Sequence, residues 1–146
     1  MTTGGFLLDT NVVSELIAVA PAPQVLRWLA AQQSDLLFLS VITLGELTKG
    51  VARLDAGRKR ERLTRWLAED LPAQFIGRVL PLDQAMAVRW GEMMADAERR
   101  GRSRPAIDLQ IAATAVHLGL GLVTRNIADF EDLGLEIVNP WETPPQ

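Results

Sequence analysis

Phe6-Leu7-Leu8-Asp9-Thr10-Asn11-Val12-Val13-Ser14-Glu15-Leu16 is the stretch on which the fold turns. Three apolar residues rise into an acid, small polar residues follow, and Val12, Val13 and Leu16 then fall at helical spacing. A buried parallel strand that ends in a carboxylate and feeds a helix reads this way. In open α/β sheets, ligands bind outside the carboxyl ends of the strands, so Asp9 stands where a site would be built. Asp is equally a good N-cap. The choice between site and cap rests on what the rest of the chain brings to the same edge.

Working outward, the first helix is predicted to run to about Ala18. Pro21 and Pro23 punctuate, and Val25, Leu26, Trp28 and Leu29 mark a short second helix. Leu36-Leu37-Phe38-Leu39 is a second buried strand. Ser40 or Thr43 can cap the helix after it, on which Leu44, Leu47, Val51 and Leu54 repeat and Glu46 is placed in the first turn. From Arg58 a helix carries Leu63, Trp66, Leu67 and Leu71 on one side, with Arg58, Lys59, Arg62 and Arg65 elsewhere, and Pro72 is predicted to interrupt it. Arg78-Val79-Leu80 is a weak strand. Asp83 caps a long helix whose Met86, Trp90, Met93, Met94 and Ala97 share a face, a stripe that reads as core; Gly101 stops it. After the basic linker Arg102-Ser103-Arg104, Pro105 opens a helix with Asp108 in its first turn and small residues for tight packing. Leu122-Val123-Thr124 and Ile137-Val138 complete the strands. Strands alternating with helices imply a three-layer α/β/α fold around a central parallel sheet with right-handed crossovers. Without repeats or low-complexity segments, residues 1–146 read as a single domain with a core from about 6 to 141.

The chain is 48% hydrophobic with a mean hydropathy of +0.10, a surplus that suits a subunit or partner interface. No apolar run is long enough for a bilayer, and no export signal opens the chain, so a cytoplasmic protein without membrane contact is expected. There is no Cys and a single His, which excludes thiolate chemistry and a His-rich zinc centre. A metal would have to be held by oxygen, pointing to Mg²⁺ or Mn²⁺. The formal net charge of −3 leaves nucleic-acid binding to local basic patches.

Asp9, Glu46, Asp108 and Asp129 all fall at strand ends or in the helical turns that follow them, hence at one edge of a parallel sheet. Close carboxylates repel unless protonated or bridged by a cation, and a divalent ion resolves the conflict. Each acid has a plainer reading: Asp9 and Asp129 as caps, Glu46 and Asp108 as first-turn acids favoured by the helix dipole. His117 fails as a general base, because nine helical residues after Asp108 it points about 180° away and ~13 Å along the axis. Of the two basic clusters, Arg58–Arg65 and Arg99–Arg104, the second leads directly into the Asp108 helix and has the better claim on a phosphate backbone.

Leu7-Leu8-Asp9-Thr10-Asn11-Val12-Val13-Ser14-Glu15, then Ser40 to Thr43 leading to Glu46-Leu47 and Gly50, then Ile107-Asp108-Leu109-Gln110-Ile111-Ala112-Ala113-Thr114-Ala115, then Val123-Thr124-Arg125-Asn126 with Asp129-Phe130, together resemble a PIN domain. More narrowly, with Asn139-Pro140-Trp141 near the end, the chain resembles the VapC-type toxins of bacterial toxin–antitoxin pairs. The resemblance implies a Mg²⁺- or Mn²⁺-dependent endoribonuclease that hydrolyses RNA phosphodiesters with metal-activated water. It implies Asp9 and Asp108 as central metal ligands, with Glu46 completing the triad and positioning or deprotonating the water. Thr10 and Thr124 resemble the supporting hydroxyls. Many relatives carry a fourth acid after the Thr-Arg pair; here Asn126 stands there and Asp129 follows three residues later, so both are supporting candidates. Arg102, Arg104 and Arg125 are candidate RNA-phosphate contacts. The resemblance also implies a homodimer and a small antitoxin seated in a hydrophobic groove near the N-terminal helices and the Leu44–Leu54 helix.

Other enzymes fit less well. A haloacid-dehalogenase-type phosphatase needs a second Asp where Asn11 stands, a dinucleotide-binding fold needs a Gly-rich turn after the first strand, and a receiver domain needs a late strand-end Lys. The rival from another class is a non-catalytic PIN-fold module that binds RNA or a partner.

Overall fold

A computed structural model describes residues 4–142. Five strands, β1 (Phe6–Leu8), β2 (Leu37–Ser40), β3 (Val79–Leu80), β4 (Gly121–Val123) and β5 (Ile137–Val138), form one sheet in the order β3-β2-β1-β4-β5. Every pairing is parallel. The chain moves outward from β1 to β2 and β3, then returns across β1 to lay down β4 and β5. The order therefore reverses between β1 and β4, and a crevice opens at the carboxyl end of that seam.

Among the described residues, seven α-helices connect the strands: α1 (Thr10–Ser14), α2 (Pro23–Ala31), α3 (Val41–Ala52), α4 (Arg58–Arg65), α5 (Leu71–Gln74), α6 (Gln84–Arg99) and α7 (Ala106–Leu118). Successive strand residues face opposite ways, and β1 shows the consequence. Leu8 joins a core with Val12, Val13, Val25, Leu39, Leu47, Leu71 and Val123. Leu7 joins the core on the other face with Ile111, Ala112, Ala115, Leu122 and Phe130. Helices thus cover both faces of the sheet. The Met86–Ala97 stripe packs as core: Met86 and Ala97 are buried and Met93 lies against the second cluster.

Two local expectations are corrected. Pro72 does not interrupt its helix. A π-helical turn over Trp66–Asp70, in which the Leu71 N–H reaches back to the Trp66 carbonyl, joins α4 to α5, and Pro72 then sits in the first turn of α5, where a missing N–H is tolerated. The first helix ends at Ser14 and tightens into a 3₁₀ turn over Glu15–Ile17, so only a short α-segment follows Asp9.

Gly121 pairs with Phe6 across β1 and β4. A Cβ there would lie 2.8 Å from Phe6 Cδ1 and 2.9 Å from Cε1, and the Phe6 ring is set edge-on against Trp28 at 5.3 Å. Gly121→Ala forces that ring off its seat and is expected to destabilise the protein by about 1–3 kcal/mol. The urea midpoint should fall with an unchanged slope, and Phe6→Leu in the same chain should recover part of the loss.

Candidate active site

Asp9 follows β1 directly. It is 5% exposed, and its two carboxylate oxygens have different tasks. Oδ1 accepts the Thr10 N–H at 2.8 Å, capping α1. Oδ2 accepts the Thr124 hydroxyl at 2.8 Å across the seam from the end of β4, with Asn11 Nδ2 at 3.4 Å. The cap reading and the site reading hold together, because capping uses one oxygen and leaves the other to the crevice. Burial raises the affinity of this carboxyl for a proton; the bonds from Thr124 and Thr10 oppose it, and the charges of Glu46 and Asp129 add to it.

Glu46 is reached through Thr10, whose hydroxyl donates to Glu46 Oε1 at 2.6 Å and lies 3.2 Å from Thr43 Oγ1. The sequence reading put Glu46 in the first turn of its helix. Instead Ser40 is the cap, its Oγ accepting the Ile42 N–H at 3.0 Å. The helix begins at Val41, so Glu46 lies in the second turn and no acid occupies the first. The helix dipole, which fades within a turn, does not account for an acid at this point. Thr43, three residues before Glu46, looks like half of a capping box. It is instead a buried hydroxyl beside the Thr10–Glu46 pair, a site residue that sequence reasoning took for a cap.

Asp108 does lie in the first turn of its helix, α7. Its carboxyl is pushed up to about 6, first by partial burial, then by the charges of Asp9, Asp129 and Glu46, and by a hydrogen bond with the Asp129 carboxyl. Asp129 lies in the 3₁₀ turn Ile127–Phe130 that follows β4. Asn126 precedes that turn. It gives its backbone N–H to Thr124 Oγ1 at 3.0 Å, and its side chain makes no cap. Asn11, which the sequence did not single out for the site, ties the two sides of the seam by accepting the Arg125 N–H at 3.3 Å.

The three candidate arginines have protein partners of their own. Arg104 donates to the carbonyls of Asp129 at 2.8 Å and Glu131 at 2.6 Å. Arg102 pairs with Asp132 at 2.7 Å. These two hold the segment that carries Asp129. Arg125 lies over the Trp141 ring at 5.2 Å. His117 is exposed near the end of α7, as expected.

Four acids from four separate elements therefore sense one another at the β1–β4 seam. Among the described residues, no Lys or Arg forms an ion pair with any of them. Uncompensated carboxylates in a half-buried setting call for protons or a cation. The donor set is oxygen only, which fits Mg²⁺ or Mn²⁺. Among the described residues no three acids stand ready as a complete cage.

The comparisons with known proteins agree with this architecture. The PIN domain family model matches residues 6–134. A protein named VapC ribonuclease Y4jK from Sinorhizobium fredii is 41% identical over 136 residues, covering 93% of this chain and 97% of its own. Toxin FitB of Neisseria gonorrhoeae is 36% identical over 135 residues, covering 92% and 97%. Among solved structures, FitAcB from the same organism superposes with a TM-score of 0.88 at 36% identity, over 94% of this chain and 99% of that one. DNA-bound VapBC from Salmonella typhimurium superposes with a TM-score of 0.79 at 28% identity, over 93% and 98%. The sheet order, the seam that gathers the acids and these matches lead to one assignment: the chain belongs to the PIN domain family, among its VapC- and FitB-named members.

Proposed function

We propose that this protein is the toxin of a toxin–antitoxin pair, an endoribonuclease that requires Mg²⁺ or Mn²⁺. The observation that carries the reading is the meeting of Asp9, Glu46, Asp108 and Asp129 at the switch point with no basic partner among the described residues. Relatives named as ribonucleases, one of them a tRNA(fMet)-specific endonuclease from Shigella flexneri, support the substrate class.

In this reading Asp9 and Asp108 hold the ion, and Glu46 completes the acidic set. When bound, the cation screens the phosphodiester charge and makes water a better nucleophile near neutral pH. Thr124 and the Thr10 N–H fix the Asp9 carboxylate, while the Thr10 hydroxyl fixes Glu46 so that it can take a proton from the attacking water. Asp129 supports Asp108. The attack is in line on phosphorus and leaves 5′-phosphate and 3′-hydroxyl ends, with no part for the RNA 2′-hydroxyl.

The protein acts as a homodimer controlled by an antitoxin. A solved structure that it resembles, VapBC-5 from Mycobacterium tuberculosis, is described as a member of the VapBC family of toxin–antitoxin systems. An apolar cavity of about 300 Å³ among Leu8, Leu16, Leu29, Leu37 and Phe75, beside the N-terminal helices, supplies a seat for an antitoxin segment.

The test is a cleavage assay on 5′-labelled structured RNA after exhaustive chelation. Cutting should vanish with chelator, return with Mg²⁺ or Mn²⁺, and stay absent with Ca²⁺-free buffer alone. Metal-restored binding without cutting would favour the non-catalytic module.

A further inference from the structure

The basic cluster that the sequence ranks second for phosphate binding is the one the structure leaves available. Around Arg99–Arg104, Asp96 pairs with Arg99 and Arg100, Arg102 pairs with Asp132, and Arg104 is spent on two carbonyls. The α3–α4 hairpin is different. Between positions 49 and 65 lie seven of the fifteen cationic residues and only two acids, on a chain of net charge −3. Lys49, Arg53, Arg58, Lys59, Arg62 and Arg65 are all exposed, and none makes an ion pair among the described residues.

Their placement is directional. On α3, Lys49 and Arg53 follow Glu46 at spacings of three and seven, so the three residues share one stripe. The stripe leaves the acidic crevice ~4.5 and ~10.5 Å along the helix. The helix core is carried instead by Thr43, Leu47 and Val51. On α4, Leu63 is the buried residue, and Arg58, Arg62 and Arg65 repeat at four and three on the side turned away from it. Unpaired cations thus begin one helical turn from Glu46 on α3 and recur along the outward side of α4. The apolar side of α4 is already buried, so the exposed side offers charge alone.

We propose that this α3–α4 surface is the docking track for the RNA backbone. It draws the polyanion past Glu46 into a crevice whose acids, without it, repel phosphates. The proposal rests on the ribonuclease reading for its substrate and extends it to a second, non-catalytic surface. Backbone contact of this kind is independent of sequence and strongly dependent on salt.

The experiment measures binding of labelled total tRNA across a salt series, in the full chain carrying Asp9→Asn so that nothing is cut. Arg58→Gln/Arg62→Gln/Arg65→Gln and Lys49→Gln/Arg53→Gln are compared in that background, with folding checked by circular dichroism. Each set should raise Kd about tenfold or more at moderate salt, and the triple set should make log K against log [salt] shallower by about 2. Unchanged affinity and slope in both sets would overturn the proposal. So would tighter binding of polyglutamate than of tRNA, which would reassign the surface to an acidic protein partner. The nuclease reading is tested separately, by whether the chain with Asp9 intact cuts RNA when Mg²⁺ is present.

Discussion

Asp9→Asn is expected to lower the rate of RNA cleavage by about 10²–10³-fold or more, the range seen when one electrostatic group aimed at a transition state is lost. The substitution is nearly isosteric. The amide oxygen can still cap α1 through the Thr10 N–H, while the amide nitrogen gives up the bond from the Thr124 hydroxyl, whose oxygen already accepts the Asn126 N–H and Asn11 Nδ2. A buried charge with raised proton affinity disappears at the same time, which offsets the lost bond, so the protein should fold with about the parental stability. Asp129→Ala serves as the contrast. Asp129 acts through Asp108, and its loss should slow cleavage only about tenfold, as for residues that orient a ligand rather than serve as one. Rates on one labelled RNA with Mg²⁺, beside melting curves for all three proteins, decide the matter. An Asp9→Asn protein that cuts at the parental rate would refute the metal assignment.

Asp108→Asn should also stop cleavage, and it should make the metal-free protein more stable at pH 7. The folded-state carboxyl titrates at about 6 against an ordinary value of 3.8. The folded chain therefore binds this proton more tightly than the unfolded one. The resulting stabilisation is complete below the lower value and is lost as pH rises through the higher one. At pH 7 the ionised group is a burden of about 1–2 kcal/mol once its partial exposure to solvent is allowed for. Removing it should raise Tm by about 3–6 °C and flatten the pH dependence of stability between 4 and 7. Mg²⁺ should narrow the gap by stabilising the parent more than the variant. A variant less stable than the parent at pH 7 without metal would mean the acids are not in conflict. A gain in stability with a loss of activity is the pattern of a site assembled against its own repulsion.

Much of this was open to reading in the chain itself. Strand-end acids are legible because an apolar run stopping in Asp, as at Leu8-Asp9, fixes both the element and the edge. Small residues around Asp108 announced a helix pressed on a sheet, and Ala112, Ala113 and Ala115 are indeed buried. What was not legible depends on partners far away in sequence. The Thr10–Glu46 bond joins the start of α1 to the second turn of α3, 36 residues on, and neither residue carries a mark of the other in the chain. That Arg104 reaches two backbone carbonyls is likewise invisible in its residue type. Pro72 was taken as a break because the widened turn before it has no compositional signature.

The bond from Thr124 to Asp9 spans 115 positions. On a ribosome, the strand ending in Asp9 and the helix bearing Glu46 emerge early, while the β4 residue that fastens Asp9 arrives after most of the chain has been made. A growing polypeptide therefore carries Asp9 and Glu46 through most of synthesis without the strand that completes their edge. The edge that surrounds Asp9 closes only when β4 pairs beside β1, late in the emergence of the chain.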